Sequence, residues 1–302
     1  MSGDAPKPGY FRVSVELGCA FGPDDIYQGT RLACAEAIGS GLTTVHDWCH
    51  NVRGQAQAEA SLRALAESGL RGRFSYGYAA GHANDVPMDL GGLARLHRDW
   101  DSRDGRLSLG MAWRDAGGDR TARGGGRHGQ RLTVPRDADR LRPAADRGLP
   151  GRGIPTGLSV DTTVLSGNAD MFAIMKVAQG IANARAQAEF ALTARRVLEL
   201  ATIEGARSLG LAGEIGSLTP GKRADLILVE TGSPNLGVFT DPAHMLVTAA
   251  QPANVDTVIV DGQILKRSGA ATMLDPVQIS NEARTALAGV RARAASATRQ
   301  AQ

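Results

Sequence analysis

Apolar residues recur at helical and strand spacings in alternation through the first third of the chain. After Pro23-Asp24-Asp25, the positions Ile26, Gly29, Ala33 and Ala37 repeat at three- and four-residue steps, and Gly39 and Gly41 close what reads as a helix. Gly41-Leu42-Thr43-Thr44-Val45 then predicts a short strand running into His46-Asp47-Trp48-Cys49-His50-Asn51. A second helix puts Ala58, Leu62, Leu65 and Gly69 on one face. A strand over Arg73–Tyr78, a helix over roughly Met88–Trp100 and a strand over Leu107–Trp113 follow. Such alternation specifies parallel βα units, hence an α/β barrel or a doubly wound sheet.

The pattern fails between Arg114 and Arg152. Arg120, Arg123, Gly124-Gly125-Gly126, Arg127, Arg131, Arg136, Arg140, Arg142 and Arg147 crowd a stretch with almost no apolar periodicity. It lacks the apolar surface to offset its ordering entropy and reads as loop or disorder. Periodicity returns with a predicted strand over Ile154–Val160, ending at Asp161, and helices over Ala169–Ala184 and Thr193–Leu209. Beyond these, Ile215–Leu218, Ala224–Glu230 and Val255–Leu265 read as antiparallel strands, the last turning at Asp261-Gly262. A final helix around Asp275–Ala295 carries Ile279, Ala283, Leu287 and Val290 on one stripe.

Composition narrows the partners. The 302 residues are 42% hydrophobic and 22% charged, with a formal net charge of +3. That charge argues for neither nucleic acid nor membrane as a partner. Three cysteines (Cys19, Cys34 and Cys49) form no CxxC pair, which points to reduced thiols. The start is polar, and no apolar run approaches the ~20 residues of a membrane span. A cytoplasmic protein is the expectation.

Two runs carry a family resemblance. Ala201-Thr202-Ile203-Glu204-Gly205-Ala206-Arg207-Ser208-Leu209-Gly210-Leu211, followed by Glu214-Ile215-Gly216-Ser217-Leu218-Thr219-Pro220-Gly221-Lys222-Arg223-Ala224-Asp225-Leu226-Ile227, resembles the C-terminal signature of the metal-dependent amidohydrolases, in the branch of cytosine deaminases and chlorohydrolases. Gly41–Asn51 resembles that family's second barrel strand, and Gly157-Leu158-Ser159-Val160-Asp161 its eighth. The resemblance implies a (β/α)8 barrel with a small β-sandwich. It also implies a divalent metal, zinc or iron, at the barrel mouth and a small-molecule substrate whose C–N or C–Cl bond is attacked by metal-activated water.

Measured against that family, the chain is short of parts. It contains no His-x-His pair, which ends the family's first strand; its histidines are His46, His50, His82, His97, His128 and His244. About 40 residues separate Trp113 from Ile154, whereas one βα unit needs about 30. The expectation is an incomplete barrel: residues 1–113 supply strands two to four, 114–152 an irregular insert, 153–211 strand eight and helices, and 212–302 a sandwich remnant and a helix. Open edges would favour self-association. The insert has the composition of a GC-rich region read out of frame. A remote alternative gives its arginines a polyanion-binding role. Activity is expected to be impaired, and an inactive remnant without metal is the competing reading.

Asp161 is the best catalytic and metal-ligand candidate. By resemblance it is the aspartate after the eighth strand that binds metal and relays the proton; a turn or capping aspartate is the plainer reading. His46 and His50 stand four apart around Asp47, and the resemblance places His50 near substrate; hydrogen-bonded loop histidines are the plainer reading. His82, after the next strand, is a third substrate-side candidate. His97 reads as a surface residue and His244 as structural. Pro220–Asp225 diagnoses the family but reads as a turn. Gly124–Gly126 lacks the Lys-Ser/Thr of a phosphate loop.

Overall fold

Three parallel strands in register centre the first of two compact units in the computed structural model, which describes residues 10–79, 88–100, 105–112 and 155–300. The first unit takes Met1–Ile38, Thr43–Thr121 and Ala271–Gln302; the second takes Gly39–Leu42 and Ala122–Ala270. The parallel strands and their helices place the first unit in the α/β class read from the sequence, while the sheet of the second is antiparallel. The strand expected over Ile154–Val160 is not formed within the described part of that range, nor is the one over Ile215–Leu218.

In the first unit, α1 (Tyr10–Gly18) and α2 (Pro23–Gly39) precede β1 (Thr44–Cys49), and α3 (Gln55–Ser68) leads to β2 (Arg71–Gly77). Then α4 (Leu90–Arg98) leads to β3 (Leu107–Ala112). The strand order is β1-β2-β3, with helical crossovers as parallel neighbours require. Asp24 and Asp25 sit in the first turn of α2, where carboxylates favour the helix dipole. Gly69 was expected on the apolar face of α3. Instead it ends that helix at φ 78°, with its N–H bonded to the Ala66 carbonyl. Asp89 caps α4 by accepting from Gly92 N at 2.7 Å.

Buried Ala58, Leu62, Ala64 and Leu65 from α3 and Phe74 and Tyr76 from β2 form this unit's core. The long C-terminal helix of the chain (Pro276–Gln300) packs on α1. It buries Ile279 and Val290, while Leu287 of the expected stripe stays exposed.

In the second unit the segment before Asp161 is extended but unpaired as a strand. Leu158 N donates to the Leu200 carbonyl at 3.0 Å, and a Cβ on Gly157 would lie 2.6 Å from Gly205 Cα. This contact accounts for the one helix expected over Thr193–Leu209. With the Leu200 carbonyl engaged from outside, the helix breaks at Thr202 (φ −124°, ψ −95°). Two helices, here α7 (Ala194–Ala201) and α8 (Ile203–Ser208), result; the shorter α5 (Thr163–Ser166) and α6 (Met171–Ala186) precede them. Ile215–Leu218 turns because Gly216 adopts φ +86° and packs against Ala206.

The antiparallel sheet follows in the order β4 (Leu226–Val229), β5 (Val255–Val260), β6 (Gln263–Arg267) and β7 (Ala270–Ala271). Its hairpin turns at Asp261 (φ 52°) and Gly262 (φ 81°), the two positive φ values of a type I′ turn. Between β4 and β5 lies α9 (Pro242–Thr248), packed on α6 and α7 and carrying His244. The Pro220–Asp225 turn acts as a clasp. Lys222 Nζ donates to the Ala212 and Ile215 carbonyls, Arg223 makes a two-pronged bond to Asp261 at 2.9 and 3.0 Å, and Asp225 accepts from Asp261 N at 2.8 Å. The last helix of the chain, returning to the first unit, is α10.

Gly216 gives the first test. A Cβ there would lie 2.7 Å from Ala206 Cβ and 3.0 Å from Ile203 Cα, on a left-handed backbone. We expect Gly216→Ala to lower stability by about 2 kcal/mol in urea denaturation. Gly213→Ala, where a Cβ meets open space, should stay within about 0.5 kcal/mol of the parent.

Candidate functional site

Alternation along β1 sends successive side chains to opposite faces of the sheet. His46 and Trp48 share one face, and His50, just past the strand, continues it. Asp47 points the other way. The rings are in contact: His46 and Trp48 stand edge-on with centroids 5.3 Å apart, and Trp48 and His50 are 6.0 Å apart and tilted. The structure thus brings the two predicted histidines to one face, separated by an indole. His46 Nε2 lies 2.7 Å from Ser75 Oγ of β2, whose residue pairs in register with Trp48. Arg73, paired with His46, donates through Nε to Ser108 Oγ at 3.3 Å, and partial burial lowers its pKa.

On the opposite face Asp47 is enclosed by α2 and α3. Its Oδ2 accepts from Ser61 Oγ at 2.5 Å, and Thr30 Oγ1 lies 3.0 Å behind that hydroxyl. Burial pushes the Asp47 carboxyl up to about 6, with the Ser61 bond pulling the other way. Burial, assisted by the Asp47 charge, pushes the Cys34 thiol up to about 12 and raises Cys49 as well. Neither thiol is a thiolate at neutral pH, so neither is a nucleophile.

Asp161 lies in the second unit. Its side chain is exposed, its backbone is left-handed at φ 56°, and its N–H donates to Ser159 Oγ at 3.2 Å. An aspartate tolerates that conformation better than most residues, yet it remains an uncommon one. His97 is exposed on α4, as expected of a surface residue. His82, His128 and the Arg/Gly-rich stretch 114–152 lie outside the described residues. Among the described residues no three of His, Cys, Asp and Glu converge as metal ligands, so the described donors do not fit a resident divalent metal. Among the described residues no helix is long and apolar enough to cross a membrane.

Sequence reasoning missed Trp48, Arg73 and Ser75 as members of the histidine face. The signal was the two-residue period of β1, which the four-residue His46–His50 spacing obscured.

The model of the amidohydrolase family matches residues 128–265, beginning inside the Arg/Gly-rich stretch. That part of the chain is similar to the amidohydrolase family.

The chain is 36% identical over 137 residues to 5′-deoxyadenosine deaminase of Methanothermobacter thermautotrophicus, covering 45% of this chain and 32% of that protein. It is 39% identical over 127 residues to 5-methylthioadenosine/S-adenosylhomocysteine deaminase of Moorella thermoacetica, covering 42% and 30%. The chain therefore spans about a third of the length of these curated relatives. In fold it resembles a zinc-bound adenosine deaminase from Xanthomonas campestris (TM-score 0.65, 18% identity, covering 93% of this chain and 78% of that one). It also resembles the zinc complex of atrazine chlorohydrolase from Arthrobacter aurescens (TM-score 0.70, 16% identity, 89% and 78%).

Asp47 makes stability depend on pH. The fold favours its protonated form, so between the usual aspartate value near 4 and about 6 the folded chain holds a proton the unfolded chain has lost. Its contribution is therefore most favourable below pH ~4 and falls as pH rises to about 6, by up to about 3 kcal/mol. Urea midpoints across this range should show a falling component that Asp47→Asn removes.

Proposed function

We propose that the chain is part of a metal-dependent amidohydrolase that hydrolyses a non-peptide carbon–nitrogen bond of a small molecule, and that this activity is impaired in the chain as it stands. The observation that carries the reading is Asp161, an exposed carboxylate on a left-handed backbone at the end of the segment that resembles the family's eighth strand. The names of the relatives, deaminases of adenosine derivatives, support an amino-bearing heteroaromatic substrate. The metal would be zinc or iron, which when bound makes a water acidic enough to supply hydroxide near neutral pH.

In this reading the three parallel strands are strands two to four of an incomplete (β/α)8 barrel, and the antiparallel sheet is part of a β-sandwich. The boundaries are 1–113 and 153–211 for barrel parts, 114–152 for the insert and 212–302 for the sandwich part and last helix. Asp161 is the metal and proton-relay residue, and His46, His50 and His82 meet the substrate. The reading of impairment comes from the sequence, which contains no His-x-His pair. The protein works in the cytoplasm, and self-association covers open strand edges.

The test is metal content and turnover of the purified chain after loading with zinc. Elemental analysis should find well under one zinc per chain. Ammonia release from 5′-deoxyadenosine should not exceed background, and Asp161→Asn should change neither result. One zinc per chain, with deamination abolished by Asp161→Asn, would sink the impairment and establish the activity. Full zinc without turnover of any adenosine derivative would remove the substrate assignment.

A further inference from the structure

A sheet edge is normally guarded against pairing by charge, proline, a bulge or brevity. In the antiparallel sheet, β4 is broken by a bulge between Leu228 and Val229 and flanked by Asp225 and Glu230, and β7 is two residues long. In the first sheet, β1 carries the inward-turned Asp47. β3, at the other edge, has no such guard: Leu107-Ser108-Leu109-Gly110-Met111-Ala112 is uncharged, free of proline and in regular register. Gly72 N donates to the Arg106 carbonyl at 3.0 Å, which fixes the parity of the ladder. Even-numbered residues of β3 bond to β2, while Leu107, Leu109 and Met111 turn their N–H and C=O groups to the outer edge. Among the described residues no strand meets them.

Beside this edge, on the helix side of the sheet, runs a groove of about 530 Å³ lined by Leu90, Leu93 and Ala94 of α4 and Leu109 of β3, with His97 and Arg98 at one end. Leu90 in the groove and Met111 on the strand are 54% and 43% exposed. α4 lies over the gap between β2 and β3. A Cβ on Gly92 would stand 2.6 Å from Tyr76 Oη of β2, while Leu90 and Leu93 share the groove with Leu109. Charge on α4 is split between its ends: half-exposed Asp89 caps the first turn, and Arg95, His97 and Arg98 fill the last.

We propose that a second copy of this chain fills the groove, the two β3 edges pairing antiparallel about a two-fold axis at Leu109. An axis perpendicular to the sheet keeps both helix layers on one side, so residues of like parity meet. Leu109 then faces its own counterpart, and Leu107 faces Met111 of the second copy. Strands pair about 4.8 Å apart, so helices lying one strand gap inside each edge come about 9.6 Å apart, within the 8–10 Å of packed helices. The two α4 helices run antiparallel. Their Leu90, Leu93 and Ala94 stripes close the groove between them, and Asp89 of each reaches the basic last turn of the other. The inference rests on the self-association in the proposed function and names the edge that makes it; metal and substrate play no part.

Sedimentation equilibrium on the full chain should show a reversible exchange between one and two chains as concentration rises. Met111→Pro removes an outward N–H while sparing the bonds to β2, and Leu93→Asp puts a charge into the groove. Each should weaken association about tenfold or more. Arg98→Glu, set against Asp89 of the second copy, should weaken it several-fold, and Arg98→Lys should not. Circular dichroism identifies variants that keep the fold. If none does, hydrogen exchange on the parent decides: the amides of Leu107, Leu109 and Met111 should gain protection as concentration rises. A monomer at every concentration, as when the groove is filled from within the chain, would overturn the pairing and the self-association together. A dimer that folded Met111→Pro and Leu93→Asp leave intact, or β3 amides indifferent to concentration, would overturn this edge alone.

Discussion

The parallel register of β1, β2 and β3 governs what the first unit can do. Because side chains alternate along each strand and the three strands run level, a residue's parity decides whether it meets the helices or the opposite face. Val45, Asp47, Phe74, Tyr76, Leu107 and Leu109 share the helix-facing parity, and His46, Trp48, Arg73, Ser75, Ser108 and Gly110 share the other. A slip of one residue on β1 would turn Asp47 outwards and drive an imidazole and an indole into the packing of α2 and α3. The Asp47–Ser61–Thr30 chain opposes such a slip, since it joins β1 to both helices through groups that need one another.

Much of the fold was legible in the sequence because its signals are local. The apolar steps of α2 and α3, the β-branched entry to β1 and the hairpin at Asp261-Gly262 are written within a few residues of where they act. The features that escaped depend on distant partners. The break at Thr202 follows from a bond reaching the Leu200 carbonyl from Leu158, and the turn at Gly216 from packing against Ala206. α9 was missed although Asp241-Pro242 is a recognisable helix start, because the surrounding pattern read as strand. The burial of Asp47 rests on Ser61, which no spacing rule singles out.

The candidate site was legible in part for the same reason. His46, His50 and Asp161 were marked by residue type and by position at predicted strand ends. Trp48, Arg73 and Ser75 became members of the histidine face only through pairing between strands. The family signature behaves in the opposite way. Lys222, Arg223 and Asp225 are conspicuous in sequence, yet their bonds run to the Ala212 and Ile215 carbonyls, Glu214 and Asp261, holding the turn to the hairpin. Such a clasp identifies ancestry while carrying none of the chemistry.

The path of the chain has a consequence for the order of synthesis. The antiparallel sheet takes Gly39–Leu42 from between two stretches of the first unit: Lys266 Nζ holds the Gly39 carbonyl at 2.7 Å, and Gly41 sits against Val255. In turn α10 rejoins residues more than two hundred positions earlier, through Arg31–Glu282 and through Arg293 to the Ala20 carbonyl. Neither unit is a continuous piece of polypeptide. A ribosome releasing this protein exposes β1, β2 and β3 long before α10 emerges to complete their unit. The first unit therefore cannot gain its α10 contacts until the whole second unit has been synthesised.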